Sequence, residues 1–219
     1  MPWFHMQVSA QLLVLLHGLG HTPQSWQEQV TSLPSGMKAV APWLLGCRPG
    51  TSERFEVGRA ADTVLALLNQ YGVEQVALCG HSLGAVVALA AAIRTPTVVS
   101  HLVLAGGLVK QSRLATTVQR VAMATMLPAR FAEAGLSKAT LQQILDELGR
   151  VDFRRSLGSV TARTLVIHGQ LDQVNLPAAR RLVAGISGAR MELIPGAGQQ
   201  PQLEAAAEFS RLLYGFLAS

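Results

Sequence analysis

Short apolar runs that recur between helical patterns constrain this chain more than any other feature. Gln11–Leu16, Val76–Cys79, Val98–Ala105 and Thr164–Gly169 lack the strict polar alternation of a strand with one wet face, so each needs cover on both faces. Met37–Trp43 and Met191–Ile194 read as further strands. Between them lie helical stretches: Trp26–Leu33, Phe55–Gln70 with Ala61, Val64, Leu65 and Leu68 on one face, the alanine-rich run Ala85–Ala92, and Leu176–Ile186. Phe209, Leu212, Leu213 and Phe216 mark a closing helix. Strand and helix in alternation imply an α/β fold, a mostly parallel sheet flanked by helices.

The rhythm breaks between Leu108 and Arg155, where no strand-like run occurs. Leu114, Val118 and Val121 share one helical face, and Leu141, Ile144, Leu145 and Leu148 share another. The expected organisation is therefore a core of residues 1–107 and 156–219 with a helical insertion, 108–155. A chain of 219 residues with 49% hydrophobic and 14% charged residues can bury such a core as one domain.

Chemistry enters at Gly80-His81-Ser82-Leu83-Gly84, a G-x-S-x-G pattern between the strand Val76–Cys79 and the helix Ala85–Ala92. A serine lifted off a sharp strand-to-helix turn needs neighbours without a Cβ, which the two glycines supply. At a helix N-terminus, Ser82 would sit where partial positive charge favours an oxyanion, and the Leu83 N–H could bind it. The loop His17-Gly18-Leu19-Gly20-His21 follows a strand and can present a second donor, the Leu19 N–H. Asp172, just past the strand Thr164–Gly169, is placed to orient a base; the alternative is a turn or capping aspartate ahead of the next helix. Met123, Met126, Leu127 and Phe131 are candidates for an apolar pocket over Ser82, or for plain packing.

Composition excludes several classes. No apolar segment reaches membrane-spanning length, and residues 1–10 lack the pattern of a secretory signal, so a cytoplasmic location is expected. The two cysteines, Cys47 and Cys79, have no metal-ligand spacing, and no cofactor is called for. Net charge is +5 with a pI near 9.9, but the basic residues are dispersed, which argues against nucleic acid. Much of the excess falls in the insertion, where it reads as a solvated helix face or, in the alternative, as a docking patch for an acidic substrate or acidic carrier protein.

Together these motifs resemble the α/β-hydrolase family over nearly the whole chain. Leu16-His17-Gly18-Leu19-Gly20 with Trp26, Gly80 to Gly84, Leu165 to Asp172, and Ile194-Pro195-Gly196-Ala197-Gly198 leading to Pro201 and Glu204 carry the likeness in the family's order. The nearest resemblance is to lidded carboxylesterases, including pimeloyl-carrier-protein methyl ester esterases. It implies a Ser…Asp…His triad acting on a small ester or acyl substrate, with Ser82 as nucleophile and Asp172 as acid. The family's histidine follows the G-x-G of the last loop, and here that position is Gln199. An amide has no lone pair basic enough to take the serine proton, so activity is expected to be impaired or absent. A non-catalytic relative that binds a ligand or protein through the same pocket is the competing reading. His21 is the candidate for a surrogate base. Gln199 is expected within hydrogen-bonding reach of Ser82 and near Asp172.

Overall fold

The computed structural model describes residues 12–110 and 135–219. Among the described residues six parallel strands form one sheet in the order β2-β1-β3-β4-β5-β6. They are β1 Leu12–Leu16, β2 Lys38–Val40, β3 Val76–His81, β4 Val99–Ala105, β5 Arg163–Gly169 and β6 Arg190–Ile194. The helices among the described residues are α1 Gln27–Thr31, α2 Val57–Tyr71, α3 Leu83–Arg94, α4 Lys138–Leu148, α5 Leu176–Gly185, α6 Pro201–Glu204 and α7 Ala206–Leu217.

The period of two in each strand sorts its apolar residues onto two separate cores. Leu12, Val14, Leu16, Leu78, Leu102, Leu104 and Val166 face α2, α3 and α5, whose Val64, Val87 and Leu182 complete one core. Leu13, Leu15, Cys79, Val103, Leu165 and Ile167 face the other way, onto Trp26 and onto Phe209, Leu213 and Phe216 of α7. This two-sided cover explains why β1, β3 and β5 read as unbroken apolar runs. Helix α3, central to the first core, is buried along almost its whole length, from Leu83 to Ala92.

Several boundaries depart from expectation. The strand expected over Met37–Trp43 contracts to three residues, because Pro42 follows closely and its backbone cannot continue a ladder. The helix expected from Trp26 begins as a 3-10 turn, Pro23–Trp26, before α1. Helix α2 closes on Gly72 in the left-handed region, φ 63°, as its sequence implies. Within the expected insertion, α4 buries Leu141, Ile144, Leu145 and Leu148, the face read from their spacing. Leu114, Val118, Val121, Met123, Met126, Leu127 and Phe131 lie outside the described residues.

Candidate active site

All six strands run the same way, so their C-terminal ends share one edge, and the candidate residues gather there. Ser82 sits between β3 and α3 with φ 51°, and among the described residues it alone combines a side chain with a positive φ. Such a conformation is costly for an L-residue and persists only where its surroundings over-determine it. The two glycines show how they do. A Cβ on Gly80 would lie 2.3 Å from the Gly84 carbonyl oxygen, and one on Gly84 would lie 2.0 Å from that of Leu16. The first turn of α3 is thus pressed against the end of β1, beside the loop that carries Leu19. Ser82 N–H donates to the Ala105 carbonyl at 2.8 Å, tying the elbow to β4 as well.

The N–H groups of Leu19 and Leu83 donate to no protein acceptor among the described residues, Leu83 because it opens a helix. The loop that carries Leu19 is held by His17. Leu44 N–H donates to His17 Nε2 at 3.2 Å, so Nδ1 carries the hydrogen and donates to the Gly18 carbonyl at 3.0 Å. Burial lowers the pKa of His17 to about 4, with the Gly18 bond opposing. The side chain of Leu19 packs on Leu136, Leu141 and Leu145, joining the loop to α4.

His81 is the second tie. Its Nε2 meets the Gln199 carbonyl oxygen at 3.0 Å. A carbonyl only accepts, so Nε2 carries the hydrogen and Nδ1 holds a lone pair, which is buried and has no hydrogen-bond partner. Nδ1 stands 2.7 Å from where a Cβ on Gly18 would be, so position 18 must be glycine for the ring to fit. Burial again dominates and lowers the pKa of His81 to about 4. The His21 ring meets that of His81 edge to face, centroids 5.8 Å apart, which places the surrogate-base candidate beside the elbow.

Asp172 is buried, and its carboxylate oxygens accept from the N–H and the side-chain amide of Asn175 at 3.1 and 2.8 Å. The turn geometry weighed for this aspartate is therefore present, whatever further role it has. His168 Nε2 donates to the Asp172 carbonyl at 2.7 Å and stabilises the same turn. Gln199 differs from expectation: its side chain is exposed and makes no hydrogen bond to Ser82 or Asp172. Its backbone, not its amide, meets the elbow. The physical reason lies in the anchoring of the loop: Glu204 accepts from the N–H groups of Gly198 and Gln200, at 3.0 Å for Gln200. Leu171 N–H donates to the Ala197 carbonyl at 2.9 Å.

The Asp172-Gln173-Val174-Asn175 spacing carries a local signal for the aspartate's clamp, since an Asp side chain commonly bonds backbone a few residues on. The His81–Gln199 tie spans 118 residues and has none. No group of three or more His, Cys, Asp or Glu among the described residues could hold a metal ion. Burial pushes the Cys47 thiol up to about 12 and the Cys79 thiol up as well, which makes both inert at neutral pH. No described helix is long and apolar enough to cross a membrane. In the insertion, Lys110 and Arg154 pair with Asp152, and Arg150 with Glu147, so part of its basic charge is already met.

Comparison with known proteins agrees with this geometry. A family model described as the Alpha/beta hydrolase family matches residues 13–212. A 2-hydroxy-6-oxononadienedioate/2-hydroxy-6-oxononatrienedioate hydrolase of Cupriavidus pinatubonensis is 26% identical, over 96% of this chain and 88% of the relative. Among solved structures, the enol-lactonase from Burkholderia xenovorans LB400 superposes with a TM-score of 0.83 at 19% identity, covering 96% of this chain and 92% of that one. A thermophilic esterase from Thermogutta terrifontis gives 0.76 at 21% identity, with 95% and 90% covered. At these identities the structures speak to fold alone.

Proposed function

The chain belongs to the α/β-hydrolase family, and from that membership we propose a serine hydrolase of the carboxylesterase type, acting on a small ester or acyl substrate, with its base position occupied by Gln199. The observation that carries this reading is Ser82 at φ 51°, held between two glycines whose Cβ space is already filled by backbone. Strain of that kind clusters where a side chain must be presented. In the proposed reaction the Ser82 oxygen adds to the substrate carbonyl, and the electron pair moves onto the carbonyl oxygen. The N–H groups of Leu19 and Leu83 receive the developing charge.

The hydroxyl proton must leave as the bond forms, and Gln199 offers no base to take it. In a serine protease, loss of the triad histidine costs on the order of 10⁶ in kcat. A bound ester is therefore expected to persist in the site rather than turn over. Asp172 is assigned the role of orienting a base at position 199, in competition with its bonds to Asn175. Residues 108–155 are assigned to a lid, with Leu19 against Leu136, Leu141 and Leu145 as its described contact with the site. The relatives are named as hydrolases of different bonds, so the substrate proposed here is no finer than an ester or activated acyl group.

The test is turnover of a short-chain p-nitrophenyl ester by Gln199→His beside the parent. A gain of about a thousandfold or more is expected, given what the base contributes. A variant as inert as the parent would favour the second reading, a relative that binds a ligand without cleaving it. That reading draws on the exposed, unbonded Gln199 side chain and the occupied carboxylate of Asp172.

A further inference from the structure

At the other edge of the sheet, where the strands begin, the structure holds an open cleft of about 200 Å³. Its walls include Arg163, Arg190, Ser187, Gly188 and Phe216. The arrangement follows from strand register. Leu165 of β5 pairs with Arg190 of β6, and Arg163 lies two residues before Leu165, so both arginines stand on the face that packs on α7. There they meet one aromatic ring: the guanidinium carbons lie 5.9 Å (Arg163) and 5.2 Å (Arg190) from the Phe216 centroid. Each contact is attractive, but two cations at one ring repel each other.

No aspartate or glutamate lines the cleft. Arg190 has no ion-pair partner among the described residues. Arg163 donates to the main-chain oxygen of Ser219 and, at 3.1 Å, to its hydroxyl, which shows the guanidinium already seated on oxygen acceptors. Ser187 and Gly188, in the turn after α5, add a hydroxyl and two N–H groups with no protein acceptor among the described residues. Guanidinium forks, a hydroxyl and backbone N–H groups are the donors that recognise a multivalent oxyanion.

We propose that this cleft binds a small phosphate-bearing molecule through Arg163, Arg190 and the Ser187–Gly188 turn, as a second site at the sheet edge opposite Ser82. The site is independent of the hydrolase reading, because no residue of the elbow or its loops contributes to it.

The experiment is calorimetric titration of the full chain with inorganic pyrophosphate and, separately, phenyl phosphate, at low and high salt. Saturable one-to-one binding is expected, weakened about tenfold or more by Arg190→Gln and by Arg163→Gln, and by added salt. Ser82→Ala should bind as the parent does. Amide chemical-shift mapping on the parent keeps the test independent of how the variants fold, with shifts expected at Ser187, Gly188 and Arg190. No saturable binding, an affinity unchanged from the parent's in both arginine variants, or shifts gathered around Leu19 and Ser82 would each overturn the proposal.

Discussion

The elbow at Ser82 and the loop from Pro195 to Gln200 lie at the same sheet edge, yet they are held in different ways. Around the elbow, backbone fills the space on every side: a Cβ at position 80 or 84 would meet carbonyl oxygens at 2.3 and 2.0 Å. In the loop, Gly196 has φ 73° with nothing within 4 Å of its Cβ position, and Gln199 is exposed. Only this tip is open: Ala197 is buried in the core, a Cβ on Gly169 would lie 2.0 Å from the Gly198 carbonyl oxygen, and bonds from Glu204, Leu171 and His81 hold the rest. Precision at the nucleophile thus comes from packed backbone, which does not depend on the side chain at 199. Geometry around the serine can persist while the proton-transfer chemistry changes.

The sharpest way to break this contrast is a pair of identical substitutions. Gly84→Ala forces a methyl onto the Leu16 carbonyl and should cost about 3 kcal/mol or more. Gly196→Ala meets only the backbone penalty of a positive φ, about 1–2 kcal/mol. Urea midpoints compare the two directly, and equal losses would mean that the loop's tip at Gly196 is as tightly packed as the elbow.

Next in size is a pH effect rooted in the two buried histidines that tie the loops down. His17 and His81 both have folded pKa values near 4, below the ordinary 6.5. The unfolded chain therefore binds more protons between those values. Stability should be highest above about pH 6.5, fall as pH drops, and level off below about 4. With two protons involved, the slope near pH 5 is about 2.4 kcal/mol per pH unit. His17→Gln should halve that slope in denaturant titrations, and a slope unchanged by it would remove His17 from the account.

The smallest effect belongs to the loop's surface clamp. Glu204→Gln weakens the acceptor for the Gly198 and Gln200 N–H groups and should cost about 1 kcal/mol or less. Its clearer signature is faster amide exchange at those two positions with no change at Ser82. Exchange that also quickened at the elbow would show the two regions to be one cooperative unit.

Much of this was legible in the residues. Apolar runs announced strands covered on both faces, because side-chain alternation and the need to bury apolar surface act within a few residues. Gly80, Ser82 and Gly84 announced the elbow for a similar reason: steric exclusion at a turn is local. Less legible were the ends of elements, as at β2, where three residues pair although seven were expected. The partners of polar side chains were least legible. Asp172 bonding Asn175 was one of two open readings, and Gln199 meeting the elbow through its carbonyl, not its amide, was not foreseen.

What the amino-acid order determined by itself is the set of elements, their alternation, and the positions where only glycine fits. What tertiary structure alone decided is which distant groups meet: Gln29 with Ser210 at a separation of 181 residues, His81 with Gln199, and Arg163 and Arg190 at one phenyl ring. Backbone sterics and periodicity are properties of neighbours along the chain. A hydrogen bond or ring contact between remote residues depends on how the sheet's register and the helices' packing bring their atoms together, and no local pattern encodes that.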